Sequence, residues 1–448
     1  MRNNNQMKEK QCAAKTVNQR AWVMFLLISL ASFFVQFHRT SSGVIRNDLA
    51  EAFEMSATSF SLFSSMYFYP YVLMQIPVGI LADRWGVRKT VSLSTLIAAM
   101  GTMIFAFAPT FSVACLGRAM VGIGVSTPVV CSTKLLSSWF RQSQVVTVSG
   151  IGNLVGNFGG LAAQAPLALL VAALTWRVSF LVLGIVTLII AAVIFLFLKD
   201  SPESMGLPSM ANLDNRPASP KNQENRNSIW QILKNVFANR YCWPLFLIMP
   251  SLMGAYTVFS GTWGVPYLQD VFGYSNIEAS TLTSYMAIGM SVGSFGISFL
   301  SDQLRSRKKP LVFIAGMTFL LWLFLAFGNG LLSILGWVGM CVVMFLFGCT
   351  AAVVPILFAI VRETNDPAYV GISIGTMNTI GMLSSAVFPI ICGSIMDVMS
   401  VKLASAALYR TTFLFIVILT GLAFIASLLV KETNAAYVEP CIKTKKSA

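Results

Sequence analysis

Charge is what this chain has least of. Only 11% of its 448 residues are Asp, Glu, Lys or Arg, against about 25% in an ordinary soluble protein. Hydrophobic residues make up 56%, and the mean hydropathy is +0.73. A soluble domain needs more polar surface than this, so a polytopic membrane protein is the class that remains. Histidine is nearly absent, with His38 alone. The eight cysteines (Cys12, Cys115, Cys131, Cys242, Cys341, Cys349, Cys392 and Cys441) are scattered, with no C-x-x-C pair and no metal-ligand spacing. Free thiols are expected, with no disulfide, metal or other cofactor. Paired acids and a Ser/His/Asp set in a shared site are lacking too, which speaks against an enzyme. The net charge of +14 could suit nucleic acid, but the bases gather between apolar runs, as membrane topology requires. No nucleic-acid partner is expected. Residues 1–20 are basic and polar without a small-residue cleavage site close behind the first apolar run, so the first helix is expected to remain in the mature protein.

What the chain does have is a short polar hairpin between long apolar runs. Residues 79–89 pack Asp83, three bases (Arg84, Arg88, Lys89) and two glycines (Gly79, Gly86) into a span suited to a tight turn between two membrane helices. A degraded copy around Asp302 covers residues 298–308, so the chain reads as two related halves. At about 20 apolar residues per crossing, twelve helices are predicted near 22–45, 60–81, 91–108, 111–136, 145–174, 178–198, 243–263, 282–300, 311–327, 331–361, 371–396 and 412–430. The expected organisation is a tail (1–20), a six-helix bundle (21–198), a polar, proline-containing linker (199–240), a second bundle (241–431) and a tail (432–448). Bases concentrate in the N-terminal tail (Arg2, Lys8, Lys10, Lys15, Arg20), the hairpin, the linker (Lys199, Arg216, Lys221, Arg226, Lys234, Arg240), after the eighth helix (Arg305, Arg307, Lys308, Lys309) and at the end (Lys443, Lys445, Lys446). The positive-inside rule then places both termini in the cytoplasm.

The twelve helices, the linker and the Gly-x-Leu-x-Asp-Arg-x-Gly-x-Arg-Lys hairpin with its copy resemble the major facilitator superfamily over essentially the whole chain. Gly117-Arg118-x-x-x-Gly122-x-Gly124 in the fourth helix and Gly152, Gly156 and Gly160 in the fifth add to the resemblance. It implies an all-α membrane protein of two pseudo-symmetric six-helix bundles that transports by alternating access around a central site. Phe37-His38-Arg39-Thr40-Ser41-Ser42-Gly43, Tyr71-x-x-x-Gln75-Ile76-Pro77-x-Gly79, Ser138-Trp139-Phe140-Arg141 and Asp200-Ser201-Pro202-Glu203 resemble the anion/cation symporters and related bacterial nutrient importers. That group carries acids where this chain has His38 and Val125, so its proton scheme does not transfer directly. In the superfamily the hairpin is a cytoplasmic gate, which implies gating roles for Gly79, Asp83, Gly86, Arg88 and Asp302.

Ionisable groups inside the predicted helices cost ~2.5–3.5 kcal/mol each unless they serve a polar site. They are His38, Arg39, Arg118 and Lys134, and none is acidic. Arg39 and Arg118 therefore point to a substrate bearing a carboxylate or phosphate. His38, beside Arg39, is the candidate for proton coupling, with Asp48 and Glu51 as alternatives. Polar rows at helical spacing extend the candidate site: Ser64, Tyr67, Tyr71 and Gln75 in the second helix, and Asn153, Asn157 and Gln164 in the fifth. Tyr256, Ser260, Trp263, Asn378 and Ser385 offer contacts from the other half. Arg118 aligns with Met344, so the cationic pole lies in the first half. The expectation is a monomeric, proton-coupled symporter of a small anionic or zwitterionic nutrient, an organic acid or amino acid, in the bacterial inner membrane. A nucleoside importer and a proton-antiport exporter are the alternatives.

Overall fold

A computed structural model describes residues 2–208, 229–366, 370–400 and 402–434. The bases Arg216, Lys221, Arg226, Lys443, Lys445 and Lys446 and the thiol Cys441 lie outside the described residues, as do the side chains of Arg2, Lys8, Lys10, Cys12 and Lys15. The six described cysteines are free.

In a bilayer no water satisfies backbone N–H and C=O groups, so each apolar run must pair them internally, and a helix does so within itself. The described residues accordingly form helices and no strand. In the first half these are α1 (Arg2–Thr40), α2 (Arg46–Phe53), α3 (Ala57–Ser65), α4 (Phe68–Trp85), α5 (Val87–Ala106), α6 (Phe111–Gly124), α7 (Thr127–Trp139), α8 (Gln142–Ala162) and α9 (Ala165–Phe197). The second half has α10 (Ile229–Ala238), α11 (Trp243–Thr257), α12 (Gly264–Phe272), α13 (Asn276–Gln303), α14 (Lys308–Phe327), α15 (Asn329–Thr350), α16 (Val354–Thr364), α17 (Val370–Ser400) and α18 (Ser405–Leu429). Ten helices or near-continuous pairs among the described residues are long and apolar enough to cross a bilayer, and the pair Ala57–Gln75 and Pro77–Trp85, bent by 54°, forms another. With α8 this makes the twelve membrane helices expected from the sequence.

Several crossings are interrupted where the sequence reads one run. The predicted helix 111–136 is α6 followed by α7, which restarts with Pro128 in its first turn. The predicted helix 331–361 is α15, a 3-10 turn (Ala351–Val353) and α16, which again opens on a proline. Proline lacks an N–H, so it fits the first turn of a new helix better than the interior of an old one. The predicted helix 243–263 becomes α11, a π-helical segment (Val258–Trp263) and α12, ending at Phe272.

The repeat seen in the sequence extends to backbone detail. Aligning Asp83 with Asp302 also pairs Tyr67 with Met286, Gly86 with Arg305 and Arg88 with Arg307 at the same offset. A Cβ on Gly122 would collide with the Tyr67 carbonyl, and one on Gly348 with the Met286 carbonyl. The same close crossing is thus built in both halves. Gly86 has φ +84°, and Arg305 is likewise left-handed at φ +44°. The degraded copy keeps a positive φ at this position even though it has lost the glycine.

Contacts divide the chain into two compact units, Met1–Arg39 with Met66–Gln223 and Thr40–Ser65 with Glu224–Ala448. The sequence boundaries place Thr40–Ser65 in the first bundle, whereas by contacts this segment goes with the second unit. In the first unit α8 presents its glycine seam to α1: added Cβ atoms on Gly152, Gly156 and Gly160 would touch Phe25 or Gln36, and one on Gly159 would strike the Phe33 carbonyl. Close backbone approach of this kind replaces the hydrophobic effect as the packing force within lipid. Gly101 and Gly117 do the same for α5 and α6, each Cβ position lying 2.7 Å from the other's carbonyl oxygen. The second unit is built around Phe259, Tyr267, Trp322, Phe347 and Phe413, whose rings meet edge-on or tilted.

Three substitutions check this geometry through the unfolding temperature of the purified protein. Gly122→Val should cost ~1–3 kcal/mol or more through overpacking, whereas Gly150→Ala, inside α8 with an added Cβ that meets nothing within 4 Å, should leave stability unchanged or raise it by up to ~1 kcal/mol. Arg305→Gly should raise stability by up to ~1 kcal/mol, the left-handed penalty less the entropy that glycine adds to the unfolded chain.

Candidate functional site

The hairpin of the first unit is held by residues at the ends of other helices. Gly86 precedes α5 and has no side chain to cap it. Asp200, just beyond α9, does so instead: its Oδ1 accepts from the Arg88 backbone N–H at 2.7 Å. A Cβ on Gly86 would sit 2.6 Å from Asp200 Oδ2, so glycine is needed here both for its φ and for space. Arg88 donates Nε to the Phe195 carbonyl at 2.7 Å and lies 5.0 Å from that ring's centre. Asp83 does not use Arg88. It accepts from Lys134 Nζ of α7 at 2.7 Å, and the same ammonium donates to the Ala82 carbonyl. The sequence offered Arg88 or a base on another helix, and the fold selects the second. The carboxylate is largely exposed at 76%, so the pair is worth at most ~1 kcal/mol. Gly79 is not explained by crowding, since an added Cβ there meets nothing within 4 Å.

In the second unit the copy is a larger network that the sequence did not reveal. Arg307 pairs with Asp302 at 2.7 Å and Glu363 at 3.2 Å. Its backbone N–H donates to Glu432 Oε1 at 3.0 Å, and Ser306 Oγ donates to the same carboxylate. Thr433 Oγ1 donates to Glu363 at 2.5 Å. Burial alone would raise the Glu432 carboxyl, but the bonds from Ser306 and from the N–H groups of Arg307, Asn434 and Thr433 outweigh it and hold it below the usual range. Glu432 caps α14 as Asp200 caps α5, each acid following the last helix of its half. That shared position was the available sequence signal.

Deeper in the first unit the structure brings together His38, Arg39, Tyr67, Tyr71 and Arg118. Arg118 is only 4% exposed. It donates Nη2 to the His38 carbonyl at 2.6 Å, and its guanidinium lies 5.3 Å from the centre of the Tyr67 ring. Tyr67 donates its hydroxyl to the Val35 carbonyl at 2.8 Å and stacks on Tyr71. Arg118 thus ties α6 to α1 at the point where Gly122 lets α6 approach the break before α4. His38 is buried among Phe34 and Phe37. Arg39, one residue on, is half-buried. Its guanidinium lies 5.9 Å from the centre of the Phe68 ring, and it has no ion pair or hydrogen bond with another described residue. No Asp or Glu occurs between Asp83 and Asp200, so α5 to α9 contribute no negative side chain. On α8, Asn153 is exposed, Asn157 half-buried and Gln164 buried.

In the second unit Tyr256 and Asn378 are half-buried. Trp263 is fully buried against Phe60 and Tyr409, with the Arg46 guanidinium 5.9 Å from its ring centre. Arg46 also pairs loosely with Asp270 at 3.8 Å, and Tyr409 donates to that carboxylate at 2.8 Å. In α2, burial first and Glu51 second raise the Asp48 carboxyl above its usual range, against an opposing bond from its own backbone.

Two halves with matched glycine crossings, a hairpin and its copy, and a buried cationic cluster are features of a known transporter family, whose profile matches residues 28–389. The chain belongs to the Major Facilitator Superfamily. It is therefore a multi-pass secondary transporter and not an enzyme. Among curated relatives, the probable galactarate/D-glucarate transporter of Bacillus subtilis is 24% identical over 425 residues, covering 86% of this chain and 87% of that one. The probable sulfoacetate transporter of Cupriavidus necator is 24% identical over 318 residues, covering 65% and 71%. Among solved structures, a bacterial homolog of the human lysosomal transporter Spinster, in an inward-facing and unoccupied conformation, superposes with a TM-score of 0.72 at 16% identity, over 91% of this transporter and 97% of that chain.

If Asp83 and Lys134 form one gate contact, Asp83→Asn and Lys134→Met should slow transport to a similar extent while leaving solute binding intact. The double variant should be no worse than either single, because the two share one interaction. Initial-rate and equilibrium-binding measurements on the same preparations decide this, and selective loss of binding would contradict the gate.

Proposed function

We propose that this transporter imports a small carboxylate-bearing nutrient, an organic acid or amino acid, by proton-coupled symport across the bacterial inner membrane, with both termini cytoplasmic. The observation that carries the reading is Arg39. A half-buried guanidinium at the end of a membrane helix, with an aromatic face on one side and no acid on α5 to α9 of its unit, is a site for an anion. A carboxylate there gains a charge-assisted, bidentate partner, and Tyr71 stands close by. Arg118 adds positive potential from behind, although its own bonds commit it to holding α1 and α6 together. The named solutes of the relatives, galactarate, D-glucarate and sulfoacetate, are all anions, which favours the same class. An exporter of cationic compounds would need a membrane acid, which α5 to α9 lack.

For coupling, His38 is the proposed proton site. Its carbonyl accepts from Arg118, and Arg39 is the next residue in the chain, so an anion bound there would favour an imidazolium at His38. Proton and anion then enter together, as symport requires.

Uptake by purified protein in liposomes tests both claims, using a panel of organic acids, amino acids and nucleosides at two imposed pH gradients. Organic acids or amino acids should be taken up faster when the outside is more acidic. Arg39→Ala should weaken the apparent affinity about tenfold or more, ~1.4 kcal/mol, without loss of fold. His38→Gln should abolish the gradient dependence while sparing solute exchange. Unchanged affinity in Arg39→Ala would overturn the anion site, and His38→Gln retaining full gradient dependence would clear His38 of a coupling role.

A further inference from the structure

The segment Thr40–Ser65 is joined at both ends to α1 and α4 of the first unit, yet by its contacts it belongs to the second. Three rungs hold its helix α3 to α17. At the outermost rung, both oxygens of Asp397 accept from the start of α3, Oδ1 from Ala57 N–H at 2.8 Å and Oδ2 from Thr58 N–H at 2.9 Å. One helical turn along, Gly393 brings the backbones together, and a Cβ there would lie 2.5 Å from Ser61 Oγ and 2.6 Å from the Ala57 carbonyl. At the innermost rung, Ser65 Oγ donates to the Ala386 carbonyl at 2.5 Å. A second attachment lies earlier in the segment, where Ser42 Oγ donates to the Gly261 carbonyl of the π-helical segment at 2.7 Å.

The Asp397 rung differs in kind from the others. The first N–H groups of a helix have no partner within it, and a local residue usually caps them. Here Ser56 does accept from the Ser59 N–H at 3.2 Å. The other two donors are answered from 340 and 339 residues away in sequence. A carboxylate on a helix N-terminus is favoured by hydrogen bonding and by the macrodipole together. Both partners are only partly buried, so water can replace each bond without exposing apolar surface. The inner rungs are buried and gain nothing from water.

We propose that Asp397 is a releasable clasp on the α3–α17 seam. Its carboxylate leaves the α3 N-terminus as a step of the transport cycle, and Asp397 sets the balance between conformations without touching solute. It acts through α3 and is a positioning residue. The inference rests on membership of a transporter family and not on the solute.

A native reporter is at hand in Cys392, fully buried beside Gly393. The full-length protein in lipid nanodiscs is treated with a maleimide, and modification of Cys392 is followed by peptide mass spectrometry. Asp397→Ala and Asp397→Asn should speed labelling about tenfold, a population shift of ~1.4 kcal/mol, with helix content and gel-filtration profile unchanged. Ala57→Pro tests the same bond from the other side: proline is tolerated at a first helical position and removes one of the two donors. It should speed labelling in the same direction, and the double variant should label no faster than the faster single. If Asp397→Ala fails to fold, Ala57→Pro decides alone. Cys392 labelling unchanged in folded variants overturns the clasp. A lower unfolding temperature with unchanged labelling also overturns it, since Asp397 would then be merely structural.

Discussion

Every helix begins with N–H groups that its own turns cannot satisfy, and in this transporter acids from far along the chain answer them. Asp200 caps α5, Glu432 caps α14 and Asp397 caps α3. Among the described residues α13 carries a complete capping box of its own, Ser275 with Glu278. The chain has just 17 acids, and a charge is costly inside a bilayer. Acids are affordable only near the helix ends, which is where the orphan donors also lie. The scarcity of charge and the placement of the caps are therefore one constraint. It makes the helix ends, rather than the apolar interior, the places where a small change of free energy can alter the structure.

Against this shared frame the two halves diverge at their centres. Gly122 and Gly348 build the same close crossing against Tyr67 and Met286. In the first half Arg118 stands over Tyr67, and in the second half the matching residues are Met344 and Met286. One half carries a polar, cationic cluster at this crossing and the other has methionines at the matching positions. Duplication preserved the backbone approach because only glycine permits it. The side chains around it were free to differ.

The twelve crossings with their acid-free cores, the repeat and the family were legible in the sequence, because each is a local or periodic property of the residues themselves. Helix ends were legible only in part. The breaks before Pro128 and Pro355 and the π-helical segment before Gly264 lie inside runs whose hydropathy is uninterrupted. Arg39 and Arg118 stood out because charge is rare within the helices, and the fold adds that Arg118 is bonded to a backbone carbonyl while Arg39 rests on Phe68.

Partners were another matter. That Asp83 reaches Lys134 and not Arg88, that Asp200 lies against Gly86, and that residues 40–65 pack with the second unit all depend on which helix ends meet in space. Composition and periodicity determined which residues enter the membrane, since transfer free energy is a property of each segment alone. Tertiary structure decided which donors the few acids satisfy, since a capping bond is set by proximity and direction, and residues more than three hundred positions apart carry no mark of it in sequence.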